Sequence, residues 1–350
     1  MALFHVPGVQ LKAISACVPL NYENNREYEF LTEQEINLLI KTTGIEQRRV
    51  AEKGVTTSDL CCTAATQLIE KLNIDPQEIG ILVFVSQSVD FILPSTAHII
   101  QARLKLPKNC MCLDINLGCS GYAYGLSVVS SLMSHGTIKK GLLMVGDIST
   151  VSPNKKDKST YPLFGDAGTV SLLEADANSE GFSFNLCSDG TDYDSIIIPD
   201  GGLRNPLNET SFEEVEIEKG IIRHRRNLAL NGVKVFDFAM REVLPNINEL
   251  LSYNNTTINQ YDYLILHQAN KLINDTVGRL LKFSPEKMPS SLKYFGNTSS
   301  ASIPLTMITA LPNKLSQKKT FLLCGFGVGL SWGSVSFSSE DLICLPLLEI

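Results

Sequence analysis

Apolar runs of strand length alternate with amphipathic stretches of helix length along almost the whole chain, and this alternation constrains the fold more than any other feature. In the first half, Gln10–Cys17, Gly80–Ser86, Met111–Ile115, Leu142–Asp147 and Thr169–Glu174 read as strands. Thr32–Thr43, Thr57–Leu72, Ser95–Leu104 and Ser120–Ser134 read as helices, with Gly136 where a C-terminal cap belongs. In the second half Phe182–Cys187 and Tyr263–His267 read as strands, and Thr320–Cys324 and Ser331–Phe337 close the chain as strands. Asn231–Leu251 reads as a long helix, with Val235, Phe236, Ala239, Val243 and Leu244 at helical spacing, and Leu272–Lys282 as another. Such alternation predicts α/β layers.

The two halves share a tempo, and each ends in a glycine-rich turn running into a β-run, at Gly165–Leu173 and at Gly327–Val335. We therefore expect one half over 1–175 and a second over 176–350. The polar stretch Gly201–Arg226 breaks the rhythm and is expected to be a surface excursion. It holds Glu213, Glu214, Glu216 and Glu218, then Arg223, Arg225 and Arg226.

Composition narrows the function classes. The chain has 350 residues, 44% of them apolar and 19% charged, which suits a folded protein with a large core. A net charge of −7 disfavours nucleic acid as partner. Residues 1–30 lack a basic start followed by a long apolar run, and no stretch reaches the ~20 apolar residues of a membrane helix. The nine scattered cysteines read as free thiols. Together these features predict a cytoplasmic protein without a membrane partner. Cys61-Cys62 and Cys110-x-Cys112 lack partners at zinc spacing, so no metal is expected. Gly325-x-Gly327-x-Gly329 has the wrong spacing for a dinucleotide, and Gly-x-Ser-x-Gly is absent, which disfavours a serine hydrolase.

Four places can carry chemistry. Within Leu113–Gly125 a strand meets a tight turn at Gly118 and a helix follows, so Cys119 stands at a helix N-terminus. The helix dipole and free N–H groups there favour a thiolate, which predicts a pKa below those of the other cysteines; the alternative is an inert buried thiol. His267 ends the run Leu264-Ile-Leu-His, at the end of a strand where α/β folds build their sites. Its alternative is a hydrogen-bonded core histidine. Asn297, in Gly296-Asn-Thr-Ser-Ser-Ala-Ser-Ile-Pro304, is either a site residue or a turn asparagine. Phe326-Gly-Val-Gly329 offers a backbone N–H for an oxyanion hole, or is only a turn before a strand.

Taken together, Asn-Leu-Gly-Cys119-Ser-Gly, His267-Gln-Ala-Asn and Gly296-Asn297-Thr-Ser-Ser-Ala-Ser-Ile-Pro resemble the β-ketoacyl-acyl-carrier-protein synthase III family, initiating condensing enzymes of the thiolase superfamily. The resemblance runs from about Val9 to Phe337, with Thr43-Gly-Ile, Phe164-Gly-Asp-Ala-Gly and Ser331-Trp-Gly-Ser at family-like positions. It implies a five-layer αβαβα thiolase-like fold, a homodimer, and a Cys119, His267, Asn297 triad. It also implies an oxyanion hole from the N–H groups of Cys119 and Val328. The reaction implied is decarboxylative Claisen condensation of an acyl thioester with malonyl-acyl-carrier protein, with acyl-CoA or acyl-carrier thioesters as substrates and no cofactor. Two other readings are an acyltransferase passing the acyl group from Cys119 to an oxygen, nitrogen or other carbon acceptor, and a non-catalytic subunit that shapes a pocket. The intact Cys119, His267 and Asn297 argue against the last.

Some positions depart from the family pattern. A Trp and an Arg that grip the adenine end of CoA are replaced by Leu38 and Thr42, and an Arg after the His-Gln-Ala-Asn run is Leu272. The aromatic that limits the neighbouring subunit's acyl pocket is Leu93. These changes predict a primer other than acetyl-CoA. Lys271, Arg279 and Lys282 fall on one predicted helical face and are expected to dock an acidic acyl carrier protein, with Arg223, Arg225 and Arg226 extending the patch.

Overall fold

The structure is a computed structural model and describes residues 2–311, 313–315 and 317–350. Several of its helices begin where the sequence supplies side-chain acceptors. Thr32 caps Glu33–Thr43 in a reciprocal pair with Glu35, and Thr56 caps Thr57–Lys71 in the same way with Asp59. Thr32 is thus the cap and not the first helical residue. Gly44, at φ +77°, ends the first of these helices in the left-handed region that glycine adopts freely.

Two sheets organise the molecule. In the first, Val9–Val18, Ala167–Ala175, Lys140–Asp147, Ile79–Val85 and Met111–Ile115 lie side by side in that order. The first two contacts are antiparallel and the last two parallel. In the second, Phe182–Ser188, Ser331–Ser339, Lys319–Gly327 and Tyr263–Leu266 repeat this order, with two antiparallel contacts and then a parallel one. The chain ends cross between the sheets. Ala2–Val6 pairs with Phe182–Ser188, while Ile343–Cys344 and Leu348–Glu349 pair with Val9–Val18. The last two strands lie beyond Ser331–Phe337, so the chain does not close where the sequence pattern stopped.

Helices occupy three layers around these sheets. Gly121–Met133 and Ser302–Ala310 lie in the middle, where Tyr122, Leu126, Val129, Ile303, Leu305 and Met307 join one core with side chains of both sheets. Thr57–Lys71 and Thr96–Arg103 cover the outer face of the first sheet. Gly232–Tyr253 and Lys271–Leu281 cover that of the second. The result is the expected αβαβα stack. The central helix packs closely because its residues are small: a Cβ at Gly125 would stand 2.5 Å from Leu143 Cδ1. Among the described residues no helix is long and apolar enough to cross a membrane.

The polar stretch 201–226 forms a peripheral feature containing the hairpin Val215–Glu218 and Ile221–Arg223. Two of its arginines are engaged within the chain: Arg223 meets Asp157 at 3.4 Å, and Arg225 meets Asp200 at 2.9 Å.

Candidate active site

Three segments, two leaving the ends of strands and one following the short helix Leu292–Phe295, meet around one cavity of about 430 Å³. Cys119, His267, Asn297, Gly327 and Val328 all line it. The first segment follows Met111–Ile115 and delivers Cys119 two residues before the helix Gly121–Met133. Gly121 N–H donates to Gly118 C=O at 2.7 Å and closes the turn. Against it lies the turn after Lys319–Gly327. A Cβ at Gly327 would sit 2.6 Å from Cys119 Sγ, so only glycine lets the two segments approach this closely. The hydroxyls of Ser120 and Ser331 meet at 2.7 Å, and Ser331 also donates to Val328 C=O at 2.8 Å. These bonds fix the Val328 turn over Cys119.

The second segment continues Tyr263–Leu266. His267 N–H donates to Cys324 C=O at 2.8 Å and carries strand pairing one residue further. The ring is buried, edge-on to Phe326, with Nδ1 2.7 Å from Ser302 Oγ. Gln268 ties the segment to Ser290 and Ser291 through its Oε1, and Asn270 caps the helix Lys271–Leu281. In this run, therefore, the glutamine holds the segment in place, the asparagine starts the next helix, and His267 and Asn270 both line the cavity.

The third segment carries Asn297. Its backbone is pinned to the other half of the chain: its N–H donates to Leu163 C=O at 2.9 Å, and its C=O accepts from Gly165 N–H at 3.0 Å. Its Oδ1 accepts the Ser299 N–H at 2.9 Å. That bond fixes the amide orientation and leaves the Nδ2 hydrogens for the cavity.

The electrostatics correct one expectation. The Cys119 thiol is pushed up to about 11, chiefly by burial. Hydrogen bonds from the N–H of Val328 and of Cys119 itself favour the thiolate but do not overcome that cost. Its pKa is not the lowest of the nine: Cys112 is shifted down by its contact with Cys110. Placement at a helix N-terminus alone misjudged this, because the site is dry. Burial also holds His267 down to about 3, against hydrogen bonding with the Ser299 carbonyl, so the ring is neutral at neutral pH.

The remaining predicted residues lie outside this cavity. Leu93 is 84% exposed, next to Phe91 and Ile92 on the same surface strip. Leu38 is exposed on the helix Glu33–Thr43, Thr42 is half-buried there, and Leu272 is exposed. Lys271 opens its helix and pairs with Asp275; Arg279 is exposed in the last turn. Lys282 falls past the helix as its left-handed cap at φ +54°, not on its face. The sequence reading missed Asp147, Ser299, Ser302 and Ser331. Asp147 lines the cavity and is 3% exposed.

Comparison with known proteins shows the family and the fold. The family model described as 3-oxoacyl-[acyl-carrier-protein (ACP)] synthase III matches residues 113–190, and that for its C terminal matches 251–338. Beta-ketoacyl-[acyl-carrier-protein] synthase III of Streptococcus agalactiae is 31% identical over 329 residues, covering 93% of this chain and 98% of the relative. The protein of the same name from Wolbachia pipientis is 34% identical, covering 91% of this chain and 95% of the relative. The crystal structure of 3-oxoacyl-(acyl-carrier protein) synthase from Burkholderia xenovorans superposes with a TM-score of 0.93, at 31% identity and 99% coverage of both chains. The first matched region holds Cys119 and the second holds His267, Asn297 and Val328. With full-length relatives above 30% identity and the same αβαβα stack, the chain belongs to the β-ketoacyl-[acyl-carrier-protein] synthase III family of condensing enzymes.

Proposed function

We propose that the chain is an acyltransferase that condenses an acyl thioester with malonyl-acyl-carrier protein and gives a β-ketoacyl-carrier product, the initiating step of fatty-acid synthesis. One observation carries the reading: Cys119, His267, Asn297 and Val328 share a single cavity of about 430 Å³. Cys119 Sγ attacks the acyl thioester carbon, the C–S bond of the donor breaks, and the thiol proton leaves with the departing thiol. The N–H groups of Val328 and Cys119 hold the oxyanion, as their bonds to the sulfur in the free chain already place them there. Malonyl-carrier then enters and loses carbon dioxide. The electron pair moves onto the thioester oxygen, where His267 and Asn297 donate.

Ser302 supports this assignment. Its oxygen accepts the Gln268 N–H at 3.3 Å and lies 2.7 Å from His267 Nδ1; with the Ser302 proton on Nδ1, the ring proton sits on Nε2. A neutral ring donates this hydrogen bond without becoming an acid, in line with its depressed pKa. The enolate carbon attacks the acyl-cysteine, Cys119 leaves as thiolate and takes up one proton. The sum is acyl thioester, malonyl-carrier and a proton in; β-ketoacyl-carrier, carbon dioxide and a free thiol out. No cofactor enters this chemistry.

The test is incubation with malonyl-carrier and a panel of acyl donors on CoA and on carrier. The expected product is the primer extended by one malonyl-derived unit, with release of carbon dioxide. Transfer of the acyl group to a hydroxyl or amine without carbon dioxide would overturn the reading. Leu38 and Thr42 supply neither a stacking ring nor a phosphate-pairing cation, which weakens CoA binding, and Leu93 in place of an aromatic opens the acyl pocket, so acetyl-CoA is expected to load more slowly than medium-chain donors. Faster loading by acetyl-CoA would remove these residues from primer choice.

Lys271, Arg279 and Lys282 are proposed to receive the acidic carrier protein, supported by their exposure beside the segment that holds His267. Lys271→Glu with Arg279→Glu is expected to raise KM for malonyl-carrier about tenfold at low salt, with the difference shrinking as salt rises. An unchanged KM at low salt would place docking elsewhere. A cytoplasmic homodimer completes the proposal. The exposed strip Phe91–Leu93 supports it as a surface for a second copy, with Leu93 reaching the neighbour's acyl pocket, and sedimentation reads the copy number.

A further inference from the structure

Asp147 ends the strand Lys140–Asp147 of the first sheet, and the chemistry above does not use it. Its carboxylate is buried at the cavity wall and gathers donors from two other segments. Oδ1 accepts the Gln87 N–H at 2.7 Å and the hydroxyls of Ser86 at 3.0 Å and Ser88 at 3.2 Å. Oδ2 faces the Ser300 hydroxyl at 3.5 Å, and the Ser299 hydroxyl adds a further bond. A buried carboxylate is costly unless its lone pairs are filled, and here hydroxyls and a backbone N–H fill them without any cation.

The turn at Ser299–Ser300 is what matters for the reaction. Ser299 sits at φ +52°, a left-handed conformation that a serine holds only when its surroundings fix it. Its N–H orients the Asn297 amide, and Ser302, at the end of the same turn, holds His267 Nδ1. One short segment thus aims both donors assigned to the thioester oxygen, and Asp147 grips that segment from the end of its strand in the first sheet.

We propose that Asp147 is a positioning residue for the decarboxylation half-reaction: through the Ser299–Ser300 turn it keeps the Asn297 amide and the His267 ring aimed at one oxygen. The inference rests on the condensing reaction proposed above. It distinguishes Asp147 from a general structural support, because acyl loading relies on Cys119 and the Val328 turn, which Asp147 does not hold. Asp147 in fact opposes thiolate formation through its charge, so its removal does not slow Cys119 on electrostatic grounds.

The test uses the full chain and measures two rates: acyl loading of Cys119 by intact mass, and release of labelled carbon dioxide from malonyl-carrier. Asp147→Ala is expected to slow carbon dioxide release about tenfold while loading stays within about threefold of the wild type. Asp147→Asn keeps an acceptor for Gln87, Ser86 and Ser88 and turns its amide to the Ser300 hydroxyl, so it is expected to restore most of the release. If Asp147→Ala does not fold, Ser300→Ala cuts the same link from the other side and is expected to give the same split, more weakly. Equal slowing of both rates, or carbon dioxide release unchanged in Asp147→Ala or, where that variant does not fold, in Ser300→Ala, would overturn the inference and leave the condensing reaction standing. A wild-type chain that loads acyl groups but releases no carbon dioxide would overturn both.

Discussion

Alanine at position 119 is expected to abolish acyl loading of the chain, whereas alanine at each of the other eight cysteines leaves it intact. The selectivity does not come from the thiol pKa. Burial pushes Cys119 up to about 11, as it does Cys62, and Cys112 is the more acidic thiol. What separates Cys119 is its partners. Two backbone N–H groups already reach its sulfur, and in the acyl-transfer step the same groups can hold the oxyanion. Gly327 leaves the space above Sγ free, where any side chain would stand 2.6 Å away. Cys61, Cys324 and Cys344 are sealed in the cores. The measurement is intact mass after exposure to a competent donor, followed by peptide mapping. Acyl mass retained in Cys119→Ala would move the nucleophile elsewhere. The raised pKa sets a direction with pH as well. Below about 11 the thiolate fraction grows about tenfold per unit, so alkylation of Cys119 by iodoacetamide should climb steadily from neutral pH upward. A plateau near pH 7 would mean that the N–H groups outweigh burial.

The parts of the site that lie within one local pattern were legible in the sequence. The strand, turn and helix around Cys119 span about a dozen residues and carry their own signals: an apolar run, a glycine turn and small residues on the helix. The supports were not legible, since each joins residues far apart in the chain. Ser120 meets Ser331, Asp147 meets Ser300 and Asn297 is pinned to Leu163 and Gly165, and only the tertiary fold brings these together. The helix Ser302–Ala310 escaped for a different reason. It is buried along most of its length, so it shows no polar face and no helical period, and Pro304 reads as a breaker although it stands in the first turn, where proline is tolerated. The closing strands Ile343–Cys344 and Leu348–Glu349 are too short for any periodicity. The thiol pKa was misjudged because the sequence shows the helix N-terminus but not the dryness around it.

Alanine at His267 or at Asn297 is expected to cut carbon dioxide release from malonyl-carrier about a hundredfold or more, while Cys119 still takes up an acyl group. The separation follows from where each donor points. In the proposed reaction the N–H groups of Val328 and Cys119 hold the acyl carbonyl oxygen beside Sγ, and neither substitution removes them. The Asn297 amide is fixed by Ser299, and the His267 ring by Ser302 and Phe326, in the same cavity. In the proposed reaction they donate to the oxygen that gains charge as the carboxylate leaves. His267 is unsuited to take the Cys119 proton before loading, because burial holds its own pKa down to about 3. A base that weak leaves a thiol near 11 protonated, whereas the same neutral ring donates well from Nε2. Asn297→Asp offers a sharper variant of the test. It keeps the size but presents an oxygen in place of the Nδ2 hydrogens, so its carbon dioxide release should fall at least as far as that of Asn297→Ala. Intact mass and labelled carbon dioxide, read on the same preparations, decide the matter. Equal loss of both activities in His267→Ala would make the histidine the base for Cys119, and loss of neither would return His267 and Asn297 to the core and turn that surround them.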